Sequence, residues 1–125
     1  MSEAGEALRG LRVLVVEDEY FIAEEVREAL ERAGAEVVGP VPGVREAMVL
    51  AREEGVLDGA VLDVNLGGEM VWPVIDALAQ RGVPVVLATG YDTRMIPPAR
   101  EHLPRCTKPV SAGDVAAALA RQIGG

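Results

Sequence analysis

The sequence predicts an α/β fold in which a doubly wound parallel sheet of five strands carries helices on both faces. Short apolar runs alternate with amphipathic segments of helical length, and this alternation occurs five times along the chain. Such alternation is typical of βαβ units, whose strands run parallel. Hydrophobic residues make up 50% of the 125 residues and aromatic residues only 3%, so we expect one domain with an aliphatic core.

The five strands are predicted from apolar runs that glycine, proline or charged residues interrupt. They cover residues 12–16, 35–38, 59–63, 83–88 and 105–107. The third run, Gly59-Ala60-Val61-Leu62, leads directly into Asp63 and is typical of a buried strand in a parallel sheet. Residues 39–43 and 64–68 contain glycine or proline and are predicted to be loops.

Helices are predicted where apolar residues recur every three or four positions. They cover residues 20–33, 44–54, 71–81 and 112–123, and the proline-containing segment 92–104 supports at most a short helix from about Pro98 to His102. Gly34 is expected to end the first helix, and Pro73 fits the first turn of the third. Ser111 and Asp114 form a near capping box at the start of the last helix.

Polar side chains stand where four of the predicted strands end. They are Glu17 and Asp18 after the first strand, Asp63 at the third, Thr89 after the fourth and Lys108 after the fifth. Because the carboxyl ends of parallel strands meet at one rim, we expect these side chains to lie together. Three neighbouring carboxylates repel one another, and a divalent cation with a preference for oxygen ligands, such as Mg²⁺, removes that repulsion.

The predicted ligands of this cation lie at or just after the ends of the first and third strands. We expect Asp18 and Asp63 to ligate Mg²⁺ directly and Glu17 to act through water. The main-chain carbonyl of Asn65 is a plausible third protein ligand. The remaining coordination positions would then be open to water and to a phosphoryl oxygen.

Thr89 and Lys108 suit a phosphate, because a hydroxyl donates to one oxygen and an ammonium neutralises another. With the metal and Lys108 in place, Asp63 becomes a carboxylate nucleophile that faces a phosphoryl donor, and the product is an aspartyl phosphate. Each signal alone is weak, since an Asp after a strand is more often a turn former or helix cap. All of them together, in this order along the chain, are specific.

In these residues, the chain resembles a response-regulator receiver domain of two-component signalling over residues 11–123, and residues 1–10 are expected to be a flexible lead-in. The family pattern is an acidic pair, a phosphoacceptor Asp, a Thr or Ser and a Lys-Pro, matched here by Glu17-Asp18, Asp63, Thr89 and Lys108-Pro109. The resemblance implies a flavodoxin-like (βα)5 fold with strand order 2-1-3-4-5 and a Mg²⁺ cofactor. It also implies a sensor histidine kinase or phosphotransfer protein as partner and a cis Lys108-Pro109 peptide.

A receiver subgroup marked by Phe-Ala-Thr-Gly-X-Tyr is similar in part to residues 87–91, Leu87-Ala88-Thr89-Gly90-Tyr91. Most receivers carry a switch aromatic three residues before the Lys, where this chain has Arg105. The usual inward swing of an aromatic therefore cannot operate in the same way. We expect segment 92–104 to be mobile without phosphate and to order or shift when Thr89 turns to the phosphoryl group.

Two other functions fit part of this residue pattern. A phosphatase with an Asp nucleophile needs a second Asp two residues later as general acid, and this chain has Asn65 there. A receiver-fold binding module that is never phosphorylated would usually lack part of the acidic pocket, which is complete here. The resemblance thus favours a signalling protein, not an enzyme, whose downstream protein partner is unknown.

The charge and the termini suggest where the protein works. A net charge of −8 argues against nucleic acid or an anionic membrane as a direct partner. Cys106 is the single cysteine, the first ten residues are polar, and no apolar run approaches the ~20 residues that span a bilayer. We therefore expect a cytoplasmic protein. No output domain follows Gly124-Gly125, so a stand-alone receiver is expected unless the chain is part of a longer one.

Overall fold

A computed structural model describes residues 7–90 and 96–123. Its main sheet contains five strands: β1 (Arg12–Val16), β2 (Glu36–Val41), β3 (Gly59–Asp63), β4 (Val85–Thr89) and β5 (Arg105–Thr107). All neighbouring pairs are parallel, and the spatial order is β2-β1-β3-β4-β5. The predicted doubly wound sheet with strand order 2-1-3-4-5 is therefore confirmed.

Four α-helices connect or follow the strands: α1 (Tyr20–Arg32), α2 (Val44–Glu53), α3 (Trp72–Gln80) and α4 (Ala112–Ile123). A 3₁₀ helix, Pro98–Arg100, lies between β4 and β5, where the sequence supports only a short helix. The buried residues of α2 and α3 pack on one face of the sheet, and those of α1 and α4 pack on the other. No helix among residues 7–90 and 96–123 is long and apolar enough to cross a membrane.

Strand β2 extends through the segment that the sequence predicts to be a loop. Gly39, Pro40 and Val41 belong to the strand, and the pairing with β1 shifts register after Leu14. This is possible because β2 is the edge of the sheet, where a proline without an N–H costs no ladder bond. Gly39 has a φ of 94° at this irregularity. The loop prediction for 39–43 was wrong for its first three residues.

The predicted loop 64–68 is also partly a strand. Asn65–Leu66 pairs antiparallel with Glu69–Met70, and we call this unit the Gly-Gly hairpin. Its two turn residues, Gly67 and Gly68, have φ values of 65° and 97°. Positive φ at both central residues is what a two-residue hairpin turn requires, and glycine adopts it without a steric penalty.

The packed domain includes residues before the predicted boundary at Leu11. Leu8 is almost fully buried within the cluster that α1 and α4 cover. Its N–H donates to the carbonyl of Ala33 at 2.9 Å, which ties the incoming chain to the end of α1. Residues 1–6 lie outside the described residues, so their flexibility stays a prediction.

The close approach of α4 to the sheet depends on Gly59 at the start of β3. A Cβ at this position would lie 2.8 Å from both methyl groups of Leu119, which is itself buried. We expect Gly59→Ala to lower the free energy of unfolding by about 1–3 kcal/mol, because the packed core must shift to accept the methyl group. Urea denaturation would measure this loss.

Gly113 provides the matched control, because it lies in α4 and a Cβ there would have no atom within 4 Å. Gly113→Ala should raise the free energy of unfolding by up to about 1 kcal/mol, since alanine favours the helix. Equal effects of the two substitutions would show that the contact with Leu119 does not limit position 59.

Candidate functional site

Three carboxylates converge at the carboxyl rim of the sheet. Glu17 and Asp18 follow β1, and Asp63 is the last residue of the adjacent strand β3. One carboxylate oxygen from each of the three lies within 4.8 Å of the others. The structure thus brings together the acidic residues that the sequence predicts, because neighbouring parallel strands end side by side.

Lys108 lies between two of these carboxylates. Its Nζ is 2.8 Å from Oε1 of Glu17 and 3.1 Å from Oδ2 of Asp63. The main-chain N–H of Lys108 donates to the carbonyl of Thr89 at 2.8 Å, which fixes this residue to the end of β4. The peptide between Lys108 and Pro109 is cis, as the resemblance implies.

The donor set fits a divalent cation. When the three carboxyl groups of Glu17, Asp18 and Asp63 are ionised, they carry three negative charges, and the Lys108 ammonium offsets one of them. Two negative charges then remain among hard oxygen donors, which is the environment that Mg²⁺ prefers. Asp18 is exposed and Asp63 is partly exposed, so both can be reached from solvent.

Glu17 is the most buried of the three acids, with 4% of its surface exposed. Burial raises its pKa to about 7, and the negative charge of Asp63 acts in the same direction. Hydrogen bonds from the Lys108 ammonium and from the N–H of Glu19, at 3.0 Å, oppose the rise in that pKa. The pKa of Lys108 is itself raised, because its bonds to Glu17 and Asp63 outweigh the effect of burial.

The raised pKa of Glu17 predicts how stability depends on pH. The folded protein binds the proton more tightly than the unfolded chain, whose carboxyl has an ordinary pKa of 4.5. The stabilisation is therefore complete below about pH 4.5 and is lost as the pH rises to about 7. We expect a loss of up to about 3 kcal/mol across this window in the metal-free protein.

Urea denaturation of the metal-free protein at several pH values would measure this loss. Glu17→Gln is the matched control, because glutamine cannot titrate and its profile should be flatter in this window. Identical pH profiles for the wild type and the variant would contradict the assignment of the loss to Glu17.

The Gly-Gly hairpin borders the acidic cluster and was not predicted from the sequence. The N–H of Asn65 donates to Oδ1 of Asp63 at 3.4 Å, and the Asn65 side-chain oxygen accepts the N–H of Gly68 at 2.7 Å. A Cβ on Gly67 would lie 3.9 Å from Oδ2 of Asp18. The hairpin therefore places main-chain groups beside the carboxylates. The role of the Asn65 carbonyl as a metal ligand stays a prediction.

Thr89 ends β4 at the same rim and is buried. Its hydroxyl donates to the carbonyl of Cys106 at 3.5 Å, so it is directed to the neighbouring strand β5. Tyr91, the next residue of the predicted motif after Gly90, lies outside the described residues. The conformation of Thr89 leaves its hydroxyl in a long hydrogen bond that a stronger acceptor can replace.

Arg105 is partly exposed at the start of β5, and its guanidinium donates to the carbonyl of Glu101 at 3.0 Å. The sequence leaves two roles open for Arg105: a surface residue of a partner-docking face, or a structural salt bridge to a nearby Asp or Glu. The observed acceptor is instead a main-chain group of the segment that precedes β5. Arg105 thus stabilises the connection between β4 and β5.

Two exposed aromatic residues near the carboxyl rim of the sheet were not predicted from the sequence. Tyr20 and Phe21 begin α1 and are 70% and 79% exposed, with ring centroids 5.5 Å apart in an edge-to-face arrangement. The next residue of α1, Ile22, lines a groove of about 480 Å³ between α1 and the chain that follows β5, and Lys108 is also in its lining. The sequence does indicate that these two side chains are exposed, because both precede the apolar stripe of α1 that begins at Ile22.

Among the comparisons with known proteins, only the search of solved structures found similar proteins. A scan against protein-family models found no match, and a search of curated proteins found none either. The solution structure of SdrG from Sphingomonas melonis Fr1 is similar, with 40% sequence identity and a TM-score of 0.79. The match covers 98% of this chain and 99% of SdrG.

Two further solved structures extend the comparison. The BeF3-activated conformation of SdrG, from Pseudomonas melonis Fr1, is 39% identical, with a TM-score of 0.72 over 87% of this chain and 92% of that one. A response regulator receiver protein from Sinorhizobium medicae WSM419 is 18% identical and has a TM-score of 0.76. Its match covers 92% of this chain and 95% of that chain, and it shows a shared fold.

The identity with SdrG extends over nearly the whole of both chains, so sequence and fold agree. The acidic pair, the strand-end Asp and the Lys-Pro also occupy one rim of the sheet, as the sequence predicts. On these grounds, the chain belongs to the response-regulator receiver domains of two-component signalling.

Proposed function

We propose that this receiver accepts a phosphoryl group on Asp63 from a sensor histidine kinase or phosphotransfer protein, in a Mg²⁺-dependent step. One observation carries the proposal: the Asp63 carboxylate lies 3.1 Å from the Lys108 ammonium and within the cluster formed with Glu17 and Asp18. A nucleophile, a fixed cation and a site for a second cation thus meet at one point. The signal would leave by protein contact or by onward phosphotransfer.

Each side chain has a distinct part in the proposed transfer. An oxygen of Asp63 forms the bond to phosphorus, and the bond between phosphorus and the histidine nitrogen of the donor breaks, with its electron pair staying on that nitrogen. Lys108 would donate to a phosphoryl oxygen, since its ammonium already lies beside Asp63.

Glu17, Asp18 and Asp63, with the carbonyl of Asn65, would hold Mg²⁺, which when bound neutralises charge on the phosphoryl oxygens. Thr89 would donate its hydroxyl to the phosphoryl group once that group is attached. Its present bond to Cys106 is long, so little is lost when the hydroxyl turns away.

The surface near the site supports a protein as the phosphodonor. Tyr20 and Phe21 are exposed and follow the acidic pair after one intervening residue, Glu19. The groove that begins at Ile22 also has Val26 and Val110 in its lining. Exposed aromatic residues beside a pocket are typical of sites that a protein partner covers. A donor that covers them would bring its phosphohistidine to the rim where Asp63 lies.

The relative SdrG supports the proposed chemistry. A BeF3-activated conformation has been solved for that protein, which is 39% identical to this chain. BeF3⁻ resembles a phosphoryl group in shape and charge when it binds a carboxylate oxygen. We extend this behaviour to the present chain, in which the acidic cluster offers a carboxylate oxygen and Lys108 offers an ammonium beside it.

Labelling by acetyl phosphate, followed by intact-protein mass spectrometry, tests the proposal. We expect a stable adduct with Mg²⁺ and none with a chelator. Rapid release of phosphate without a stable adduct would indicate a phosphatase. That outcome is disfavoured because Asn65 occupies the general-acid position and its side chain is bound to Gly68. A folded protein that takes no label in Mg²⁺ would indicate a pure binding module.

A further inference from the structure

A three-residue contact joins α3 to the 3₁₀ helix between β4 and β5. The Arg100 guanidinium makes two hydrogen bonds to the Asp76 carboxylate, at 3.0 and 3.2 Å. Its Cζ also lies 5.2 Å from the centre of the Trp72 ring, which is a cation–π distance. Trp72 and Asp76 are four residues apart on α3, so they present one face to Arg100. We call this contact the Arg100 latch.

The Arg100 latch fixes the connection between β4 and β5, which has little regular secondary structure of its own. The 3₁₀ helix has only three residues, and so short a helix needs outside contacts to persist. Ile96 and Leu103 anchor the segment on its inner side, and Arg105 holds the carbonyl of Glu101. Ile96 is buried, so this part of the segment does contribute apolar surface to the core. These contacts favour an ordered segment over residues 96–104 before phosphorylation, in place of the mobility expected from the sequence. For residues 92–95, which lie outside the described residues, the expected mobility stays a prediction.

Both sides of the latch are connected to the candidate site. On one side, the Gly-Gly hairpin begins two residues after Asp63, and the N–H of Val71 returns to the carbonyl of Val64 at 3.0 Å. Trp72 follows directly as the first residue of α3. A displacement of the chain after Asp63 therefore reaches Trp72 through a short, hydrogen-bonded path.

On the other side, the chain that carries Arg100 connects Thr89 to Arg105. Its ends are fixed to neighbouring strands, because β5 pairs with β4 from Leu87 to Thr89. The hydroxyl of Thr89 must leave the carbonyl of Cys106 to reach a group on Asp63. That rotation removes a contact between β4 and β5, the two strands that the chain carrying Arg100 connects.

We propose that the Arg100 latch is closed in the unmodified protein and opens when Asp63 carries a phosphoryl group. The Arg100–Asp76 ion pair is weaker than the hydrogen bond that Thr89 would make to a phosphoryl group. Asp76 is 60% exposed and Arg100 is 24% exposed, and exposed ion pairs contribute little to stability. A hydroxyl bonded to a phosphoryl oxygen is the stronger, charge-assisted contact. This inference rests on the proposed phosphorylation of Asp63, and it identifies the surface on which the modification is reported.

Trp72 is the single tryptophan of the chain, so its fluorescence tests the latch directly. We expect Mg²⁺ with BeF3⁻ to change the Trp72 emission of the wild-type protein, because the guanidinium leaves the ring. Arg100→Ala should shift the resting emission in the same direction and remove most of the response to BeF3⁻. Arg27→Ala is the matched control: Arg27 also pairs with two carboxylates, Glu24 and Glu31, but on α1.

Amide exchange gives a second measurement of the same event. The N–H groups of Arg100, Glu101 and Leu103 are hydrogen-bonded within the segment. Their exchange should become roughly fivefold faster in Arg100→Ala and in the BeF3⁻-bound wild type, since one cation–π contact and one exposed ion pair are lost.

Labelling of Asp63 by acetyl phosphate, measured on the same preparations, separates the two proposals. If the wild type takes the label but BeF3⁻ changes neither the Trp72 emission nor these exchange rates, the latch proposal is overturned while the phosphoacceptor stands. A full BeF3⁻ response in Arg100→Ala would overturn it equally. If the wild type takes no label, the proposed function fails and the latch proposal fails with it.

Discussion

Asp63→Asn is expected to abolish labelling by acetyl phosphate and to leave the fold intact. An asparagine side chain is nearly isosteric with aspartate, but its amide cannot form an acyl phosphate. The Lys108 ammonium keeps its bond to Glu17 at 2.8 Å, so the rim retains a counterion for its buried acid. Intact-protein mass spectrometry measures the label, and circular dichroism with urea denaturation confirms the fold.

The control for this variant is Asp114→Asn. Asp114 is an exposed carboxylate in the first turn of α4, and its N–H, not its side chain, makes the capping bond to Ser111. This variant should take the label as the wild type does. Undiminished labelling of Asp63→Asn would remove Asp63 as the acceptor, and parallel losses in both variants would point to a general effect of charge.

Lys108→Ala is expected to uncouple metal binding from the response to a phosphoryl analogue. The ammonium contacts Glu17 and Asp63 and repels an incoming cation, so its removal should leave Mg²⁺ affinity unchanged or higher. The affinity for BeF3⁻ in saturating Mg²⁺ should fall roughly 10- to 100-fold, because a hydrogen bond to a charged group is lost. Titrations followed by Trp72 fluorescence or by NMR would measure both affinities.

The Mg²⁺ affinities of the wild type and Lys108→Ala depend on pH through the protonation of Glu17. The bond from Lys108 lowers the pKa of Glu17, so its loss leaves Glu17 protonated to a higher pH. Measurements at about pH 8.5 limit this competition between the proton and the metal. Lys108→Arg is the matched control, because it keeps the positive charge in a different shape, and it should retain part of the BeF3⁻ affinity. Loss of Mg²⁺ binding with a normal BeF3⁻ response would contradict the assigned role of Lys108.

The main sheet could be predicted because its strands carry strong local patterns. The run into Asp63 is apolar on both faces, as a central parallel strand must be, and α1 shows an apolar stripe through Val26 and Leu30. The convergence of Glu17 with Asp63 then followed from topology alone, since neighbouring parallel strands end at one rim. Bounds of strands and helices agreed to within a few residues.

Three features could not be predicted, each for a physical reason. Strands of two residues, as in the Gly-Gly hairpin, are too short to show alternation, although Gly67-Gly68 is a typical turn pair. Pro40 lies in a strand because tertiary position at the sheet edge overrides its low propensity. The contact of Arg100 with Trp72 joins residues from distant parts of the chain, and nothing in the sequence near either residue specifies it.

The rotamer of Thr89 could not be predicted from the sequence either. The sequence placed this residue at the rim, but its hydroxyl bond to Cys106 depends on a side-chain rotation that no sequence pattern encodes. The predicted position was therefore correct at the level of the strand. The direction of the hydroxyl is a property of the conformational state of the protein.

The position of Lys108 between Glu17 and Asp63 keeps the carboxylates of the rim together before any cation binds. The ammonium is a built-in counterion, so the acidic rim is held in shape by the polypeptide itself. A cation that binds at the rim would meet three carboxylates that already lie close together. In the proposed Mg²⁺-dependent transfer, the supply of the ion would then set how many molecules can react at a given moment.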